Sequence, residues 1–136
     1  MPKDKNDKAE KDIQNYCNKN GVGASRVAWL AHTITVSGGA AVPAITPALT
    51  AKWNAMLAAH KVAQATTLPL HNCAEAHMWM ELQLQGIAPK NCDMWMYRID
   101  NRNRIHRDAP CPNCQQWVLK DFRSQNGVKK AHNLRA

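Results

Sequence analysis

Two short segments decide the fold: His71-Asn72-Cys73-Ala74-Glu75-Ala76 and Ala109-Pro110-Cys111-Pro112-Asn113-Cys114-Gln115-Gln116. They hold three of the five cysteines, and each segment begins a predicted helix. A helix start presents free N–H groups and the positive end of the helix dipole, which lower the pKa of a thiol and favour the thiolate. Three thiolates at two helix starts can bind one zinc ion and leave its fourth tetrahedral position to water. We therefore predict Zn²⁺ as a cofactor, with Cys73, Cys111 and Cys114 as its ligands.

A carboxylate two residues after the first predicted ligand adds chemistry to this site. Glu75 can stand beside a metal-bound water without ligating, and can move protons to and from it. Zinc deaminases combine such a Glu with a zinc held by one His and two cysteines, or by three cysteines, and with a Pro-Cys-x-x-Cys sequence. The segments at 71–76 and 109–116 resemble the two zinc motifs of the cytidine deaminase superfamily, and the resemblance extends over about residues 70–122.

This resemblance implies a fold, a reaction and roles for individual residues. The fold is α/β, a cytidine deaminase-like three-layer fold with a mixed sheet and the zinc site at the N-termini of two helices. The reaction is hydrolytic deamination, in which zinc lowers the pKa of its water and the hydroxide attacks C4 of cytosine. Glu75 is the catalytic residue that moves the protons. We predict that three residues beside the zinc ligands in these motifs line the pocket: His71, Ala74 and Pro110.

The charge distribution favours a nucleic-acid substrate. Lys and Arg number 18 against 10 Asp and Glu, a net charge of +8, and residues 98–135 contain nine of these cations against three Asp. A basic surface of this kind attracts polyanions. A loop over residues 100–109 leads into the second motif, and we predict that its basic side chains contact nucleic acid: Arg102, Arg104, His106 and Arg107. A solvated basic surface that serves solubility is the alternative interpretation.

The compact basic chain resembles the deaminase domains of bacterial polymorphic toxins. That resemblance implies conversion of cytosine to uracil in nucleic acid. Single-stranded DNA is the favoured substrate, because the target base must leave the stack, and RNA and duplex DNA are alternatives. It also implies action in the cytoplasm, that of a target cell after delivery by a specialised secretion system, and a cognate immunity protein as a partner.

Other functions fit the same residues. One is deamination of free cytidine or a nucleotide, although the Asn-x-Glu ribose-binding signature of nucleoside enzymes has no counterpart before Cys73. Another is a nucleic-acid-binding module with a structural zinc, in which His71 or His77 is the fourth ligand. A redox pair formed by Cys111 and Cys114 is a further interpretation of their spacing.

The remaining sequence predicts a charged N-terminal segment followed by one domain. Residues 1–20 mix Lys with Asp and Glu, which predicts a flexible segment whose start is a frayed tail or a short exposed helix, with Ile13 and Tyr16 as the first candidates for core contact. Residues 21–136 are then a single deaminase-like domain. No apolar region opens the chain, so no cleavable signal peptide is predicted. The uncharged residues 27–51 contain Gly and Pro, so no stable membrane span is expected. The predicted elements are strands over 27–36 and 92–99, helices over 47–65, 73–86 and 112–122, and an edge strand near Gly127 and Val128.

Overall fold

The centre of the protein is a five-stranded mixed sheet. The computed structural model describes residues 3–30, 33–37, 45–63 and 73–129, and the strands counted here are those of that part of the chain. The first four run in the order β2-β1-β3-β4 with antiparallel neighbours, while β5 pairs with β3 in parallel. The α/β class and the mixed sheet are therefore as predicted. The strands are β1 Ser25–Leu30, β2 Thr33–Val36, β3 Asp93–Ile99, β4 Ile105–Arg107 and β5 Ser124–Gln125.

Helices cover both faces of this sheet. Successive side chains of a strand point to opposite faces, so Val27 and Trp29 join one apolar cluster while Ala28 and Leu30 join the other. Helix α1 packs on the first face, and the other four helices pack on the second. The described residues thus form three layers with an apolar cluster on each side of the sheet. The helices are α1 Lys3–Asn20, α2 Pro47–Ala59, α3 Ala74–Gln85, α4 Pro112–Gln115 and α5 Val118–Asp121.

Helix α1 shows how the charged N-terminus packs. The mixture of charges predicts a flexible segment, either a frayed tail or a short exposed helix, and the structure contains an 18-residue helix there. Ala9, Ile13 and Cys17 are buried in the cluster that includes Val27. A spacing of four residues places these three side chains on one face of a helix. The apolar face of α1 is one residue wide. Charged residues therefore dominate the composition of this segment, and composition alone does not indicate a buried face.

The predicted strand over residues 27–36 is a hairpin. Strands β1 and β2 are antiparallel, with Val27 opposite Val36 and Leu30 opposite Thr33, so the register leaves two residues between the strands. Both arms of the hairpin are apolar and β-branched, so composition alone could not mark the turn. The sequence Ser37-Gly38-Gly39 also predicts a turn after this strand, and residues 38 and 39 lie outside the described residues.

Helices α2 and α3 begin where the sequence predicts. The Leu49 N–H donates to the Thr46 hydroxyl at 3.1 Å, which caps α2. That helix ends at Ala59 rather than at residue 65, because the chain turns away through Lys61 in the left-handed conformation (φ 55°). Gly86, with φ 73°, ends α3 in the same way and without the steric penalty of a side chain.

Two elements after α3 differ from the prediction. The predicted loop over residues 100–109 contains β4, which pairs with the last residues of β3. The predicted helix over residues 112–122 is divided into α4 and α5 by a turn at Gln116 and Trp117. The edge strand is β5, and Val128 adds only a bridge to Gln125.

Within the described ranges, no helix combines the length and the apolarity that crossing a membrane requires. The described part of the uncharged residues 27–51 contains β1, β2 and the start of α2.

A substitution on α1 tests whether this helix belongs to the packed structure. Ile13 is fully buried, so Ile13→Ala is expected to lower the free energy of unfolding by about 3 kcal/mol, the usual cost of such a cavity. Asn15→Ala on the exposed face of α1 is the control and should change it by less than about 0.5 kcal/mol. Urea unfolding followed by tryptophan fluorescence measures both, and equal small effects would show that α1 does not pack.

Candidate metal centre

The first thiol is held at the start of α3. Cys73 is the N-cap residue of that helix, with extended backbone angles, and its residue is only 7% exposed. The carbonyl of Ala74, the first helical residue, accepts a hydrogen bond of 2.8 Å from Thr35 Oγ1 on β2. This buried bond ties the start of α3 to the sheet, and it thereby fixes the position of the Cys73 thiol.

The other two thiols are held by the single turn of α4. Cys111 is its N-cap residue, and Cys114 lies inside the turn. Pro112 occupies the first helical position, where its fixed φ suits a helix and no N–H is needed. The side chain of Gln115 donates a hydrogen bond of 2.7 Å to the carbonyl of Pro110 and closes the turn. The sequence Pro-Cys-Pro-x-Cys thus builds a short rigid bracket for two thiols.

The three sulfur atoms converge. They all lie within 4.8 Å of one another, and the Sγ atoms of Cys73 and Cys111 are 3.1 Å apart. Sulfurs that bind one tetrahedral ion at about 2.3 Å lie about 3.8 Å apart, so the observed distances bracket the value that a bound ion needs. The cluster could therefore hold a metal ion, and the three predicted ligands are the residues that form it.

The thiols share their protons unequally. Hydrogen bonds from Cys114 and Cys73, together with the backbone N–H groups of Cys114 and Asn113, lower the pKa of Cys111. Hydrogen bonding to Cys111 raises the pKa of Cys73, and burial raises the pKa of Cys114. The hydrogen bonding within the cluster therefore favours ionisation of Cys111 over that of Cys73 and Cys114. A bound metal ion displaces the remaining protons, because metals bind thiolates.

A buried carboxyl group completes the site. Glu75 lies in the first turn of α3 and is 2% exposed. Burial raises the pKa of the Glu75 carboxyl to about 8, the charge of Cys111 adds to the rise, and the backbone N–H groups of Glu75 and Cys111 and the charge of Arg26 oppose it. The hydrogen bond from the Cys111 N–H places the carboxyl directly beside the thiol cluster. Acid and thiols form one site.

The other residues predicted for the pocket have different positions. His71 lies outside the described residues. Ala74 is buried directly after Cys73 in the chain, and Pro110 is buried directly before Cys111. His77 is fully buried, and its Nδ1 donates to the carbonyl of Val36 at 2.6 Å. Among the described residues the metal-binding group contains the three cysteines without His77, which argues against a closed site with His77 as the fourth ligand.

The predicted basic residues divide between a turn and a strand. The backbone N–H groups of Arg102 and Arg104 donate to Oδ1 of Asp100, each at 2.9 Å, and leave both Arg side chains exposed. His106 Nε2 donates to Oδ2 of the same carboxylate at 2.8 Å. The His106 bond, followed by the backbone donors, lowers the pKa of Asp100 to about 2. One carboxylate therefore organises the turn between β3 and β4.

Arg107 does not lie with its predicted neighbours. Its guanidinium stands over the ring of Trp95, 4.8 Å from the ring centre, and Trp95 belongs to the cluster under α1. His106 is adjacent in a strand and therefore points to the opposite face, the face that carries the thiol cluster. The prediction treated the segment as a loop, in which no such separation of faces is expected.

Three charged residues near the site were not predicted from the sequence. Arg26 and Arg98 face each other across β1 and β3, on the face of the thiol cluster. Arg26 Nη1 forms an ion pair of 2.9 Å with Oδ2 of Asp108, which is 9% exposed. The alternation of side chains along β1 could have identified Arg26, because it shares a face of the strand with Ala28. The pairing of the strands is not visible in the sequence.

Comparison with protein-family models, with curated proteins and with solved structures gave no match for this chain. The functional interpretation therefore rests on the residues of the site.

Exchange of single cysteines tests the cluster as a metal site. Cys73→Ser, Cys111→Ser and Cys114→Ser should each lower the metal content of the purified protein from one ion per chain by at least about tenfold, because two thiolates bind far more weakly than three. Cys92→Ser is the matched control, since Cys92 is also buried but lies outside the cluster. Emission spectroscopy measures the metal content. A loss with Cys92→Ser, or full metal content in all three cluster variants, would contradict the assignment.

Proposed function

We propose that this protein is a zinc-dependent deaminase that converts cytosine to uracil in nucleic acid, with single-stranded DNA as the favoured substrate. The observation that carries the proposal is the buried Glu75 carboxyl beside three converging thiols. A structural metal site needs no acid of this kind. A hydrolytic site needs a group that moves protons next to its metal.

Zinc is the proposed ion because of the donor set. Three thiolates are soft ligands that favour zinc over the oxygen-preferring ions magnesium and calcium. Cys73, Cys111 and Cys114 would hold it, and a set of three protein ligands leaves one position open. When bound, the ion supplies a Lewis acid that makes water nucleophilic near neutral pH.

Glu75 is the proposed proton carrier. Hydrolysis of cytosine consumes water and releases ammonia, so protons must move from the water to ring N3 and to the departing amino group. A buried carboxyl with a raised pKa can take up and release a proton near neutral pH. The Cys111 N–H, which donates to this carboxyl, would hold it in place during both transfers.

A polymer is the proposed substrate because the turn and strand that lead to Cys111 along the chain are basic. Arg102, Arg104 and His106 extend from the turn and strand that lead toward Cys111. A base in a single strand can enter a pocket without the cost of unpairing. A deaminase-like domain over residues 21–136, action as a toxin in the cytoplasm of a target cell and a cognate immunity protein remain parts of this proposal.

Removing the carboxylate tests the reaction directly. Glu75→Gln should lower conversion of cytosine to uracil by roughly 10²- to 10⁴-fold, the usual contribution of a positioned acid–base group, while the zinc content stays at one ion per chain. Glu81→Gln is the matched control, because it makes the same change two turns later in α3, away from the thiols, and it should keep full activity. Zinc-loaded proteins are incubated with single-stranded DNA, duplex DNA, RNA and free cytidine, and uracil is read by sequencing and chromatography.

The substrates separate the alternatives. Conversion of free cytidine alone would replace the polymer by a nucleoside or nucleotide. No conversion of any substrate by a zinc-loaded protein that still binds DNA would favour a binding module with a structural zinc. Full activity of Glu75→Gln would contradict the proposed proton carrier.

A further inference from the structure

A row of three basic side chains crosses the sheet on the face that carries the thiol cluster. Arg26 on β1, Arg98 on β3 and His106 on β4 are direct partners across neighbouring strands. Neighbouring strands lie about 4.8 Å apart, so the three positions span about 10 Å. Directly opposite residues of antiparallel strands share a face, so the three side chains project from the same side of the sheet.

The two outer side chains of this row each contact a carboxylate, and within the described part of the chain the central one does not. Arg26 pairs with Asp108 at 2.9 Å, and His106 pairs with Asp100 at 2.8 Å. Arg98 stands between them, and no carboxylate of the described residues forms an ion pair with it. Like charges directly opposite each other destabilise a sheet. Asp108 reduces this cost at Arg26, and an anion held by Arg98 would reduce it at the other side chain of the pair.

The row lies next to the thiol cluster. Arg26 is two residues from Ala28 along β1, about 7 Å, and on the same face. Ala28 pairs with Thr35, whose hydroxyl holds the start of α3. At the same end of the sheet, the partner of Arg26, Asp108, precedes Cys111 by three residues. An anion on Arg98 would therefore sit at the edge of the proposed pocket.

We propose that Arg98, with Arg26 and His106 on either side, binds a backbone phosphate of the nucleic-acid strand whose base enters the site beside Glu75. This inference rests on the proposed function and names the residues that hold its substrate. Arg is the side chain best suited to the task, because its planar guanidinium donates two parallel hydrogen bonds to a phosphate. The carboxylates of Asp108 and Asp100 orient the outer side chains of the row and leave Arg98 to the strand. Arg107, on the opposite face of the sheet, takes no part.

Binding measurements on a catalytically inactive protein test this inference. Zinc-loaded Glu75→Gln protein is titrated against a fluorescent single-stranded DNA 15-mer and against dCMP over a range of salt concentrations. In this background Arg98→Gln should weaken binding of the 15-mer about tenfold, as loss of one charge-assisted contact does. The slope of log K against log salt should fall by about 0.7, the value for one phosphate of a single strand. Arg98→Lys, which keeps the charge and loses the fork, should retain part of the affinity.

Arg107→Gln is the matched control, because it removes the same charge from the opposite face of the sheet. It should change the affinity and the salt slope far less than Arg98→Gln does. Thermal unfolding shows that each variant is folded. Equal effects of Arg98→Gln and Arg107→Gln, or unchanged binding with Arg98→Gln in a protein whose parent deaminates DNA, would overturn the phosphate site and leave the function standing. A loss confined to dCMP would also overturn it. Binding that depends on Arg98 in a protein that deaminates nothing would support the site and contradict the function.

Discussion

Three thiols crowded into a buried space cannot all ionise without a cation beside them. In this protein the pKa of Cys111 is lowered while the pKa values of Cys73 and Cys114 are raised, so ionisation is favoured at one of the three thiols. The buried Glu75 carboxyl is also difficult to ionise, and its pKa is raised by burial and by the charge of Cys111. A divalent cation would relieve the repulsion among all four groups at once. The arrangement of α3 and α4 suits such an ion, because it brings these four groups together.

The fold provides the positions from both sides of the sheet. The hairpin of β1 and β2 fixes the start of α3 through Thr35, and β3 and β4 lead the chain back to Cys111. Helix α1 covers the far face, so the sheet buries apolar side chains on both sides. The Asn126 amide links β3 to the chain before Cys111, because it accepts from the Met96 N–H and donates to the Asp108 carbonyl. The site is therefore supported by hydrogen bonds that bridge distant parts of the chain.

The sequence allowed accurate prediction where the signal was local. The starts of α2 and α3 follow from Thr46 and from the Cys73 segment, and Gly86 marks the end of α3 because left-handed backbone favours glycine. The convergence of the three thiols was also predictable, since their spacing at two helix starts is a local pattern.

The features that were not predicted depend on contacts between residues distant in sequence. The hairpin within residues 27–36 could not be seen, because both arms share one apolar pattern. The face of Arg107 and the alignment of Arg98 with Arg26 follow from strand pairing, which sets one residue against another across more than seventy positions of sequence. Helix α1 was predicted only as a short exposed helix or a frayed tail, because its buried face contributes one residue in four, and of its buried residues only Ile13 was predicted as a core contact.

The central claim is that three thiolates of this protein hold one zinc ion and leave one of its positions open. X-ray absorption spectroscopy of the zinc-loaded protein at the zinc edge tests it most directly. The account predicts three sulfur ligands at about 2.3 Å and one oxygen ligand at about 2.0 Å, with no imidazole signature. Four sulfur ligands, or three sulfurs with an imidazole nitrogen, would show a closed structural site and would contradict it.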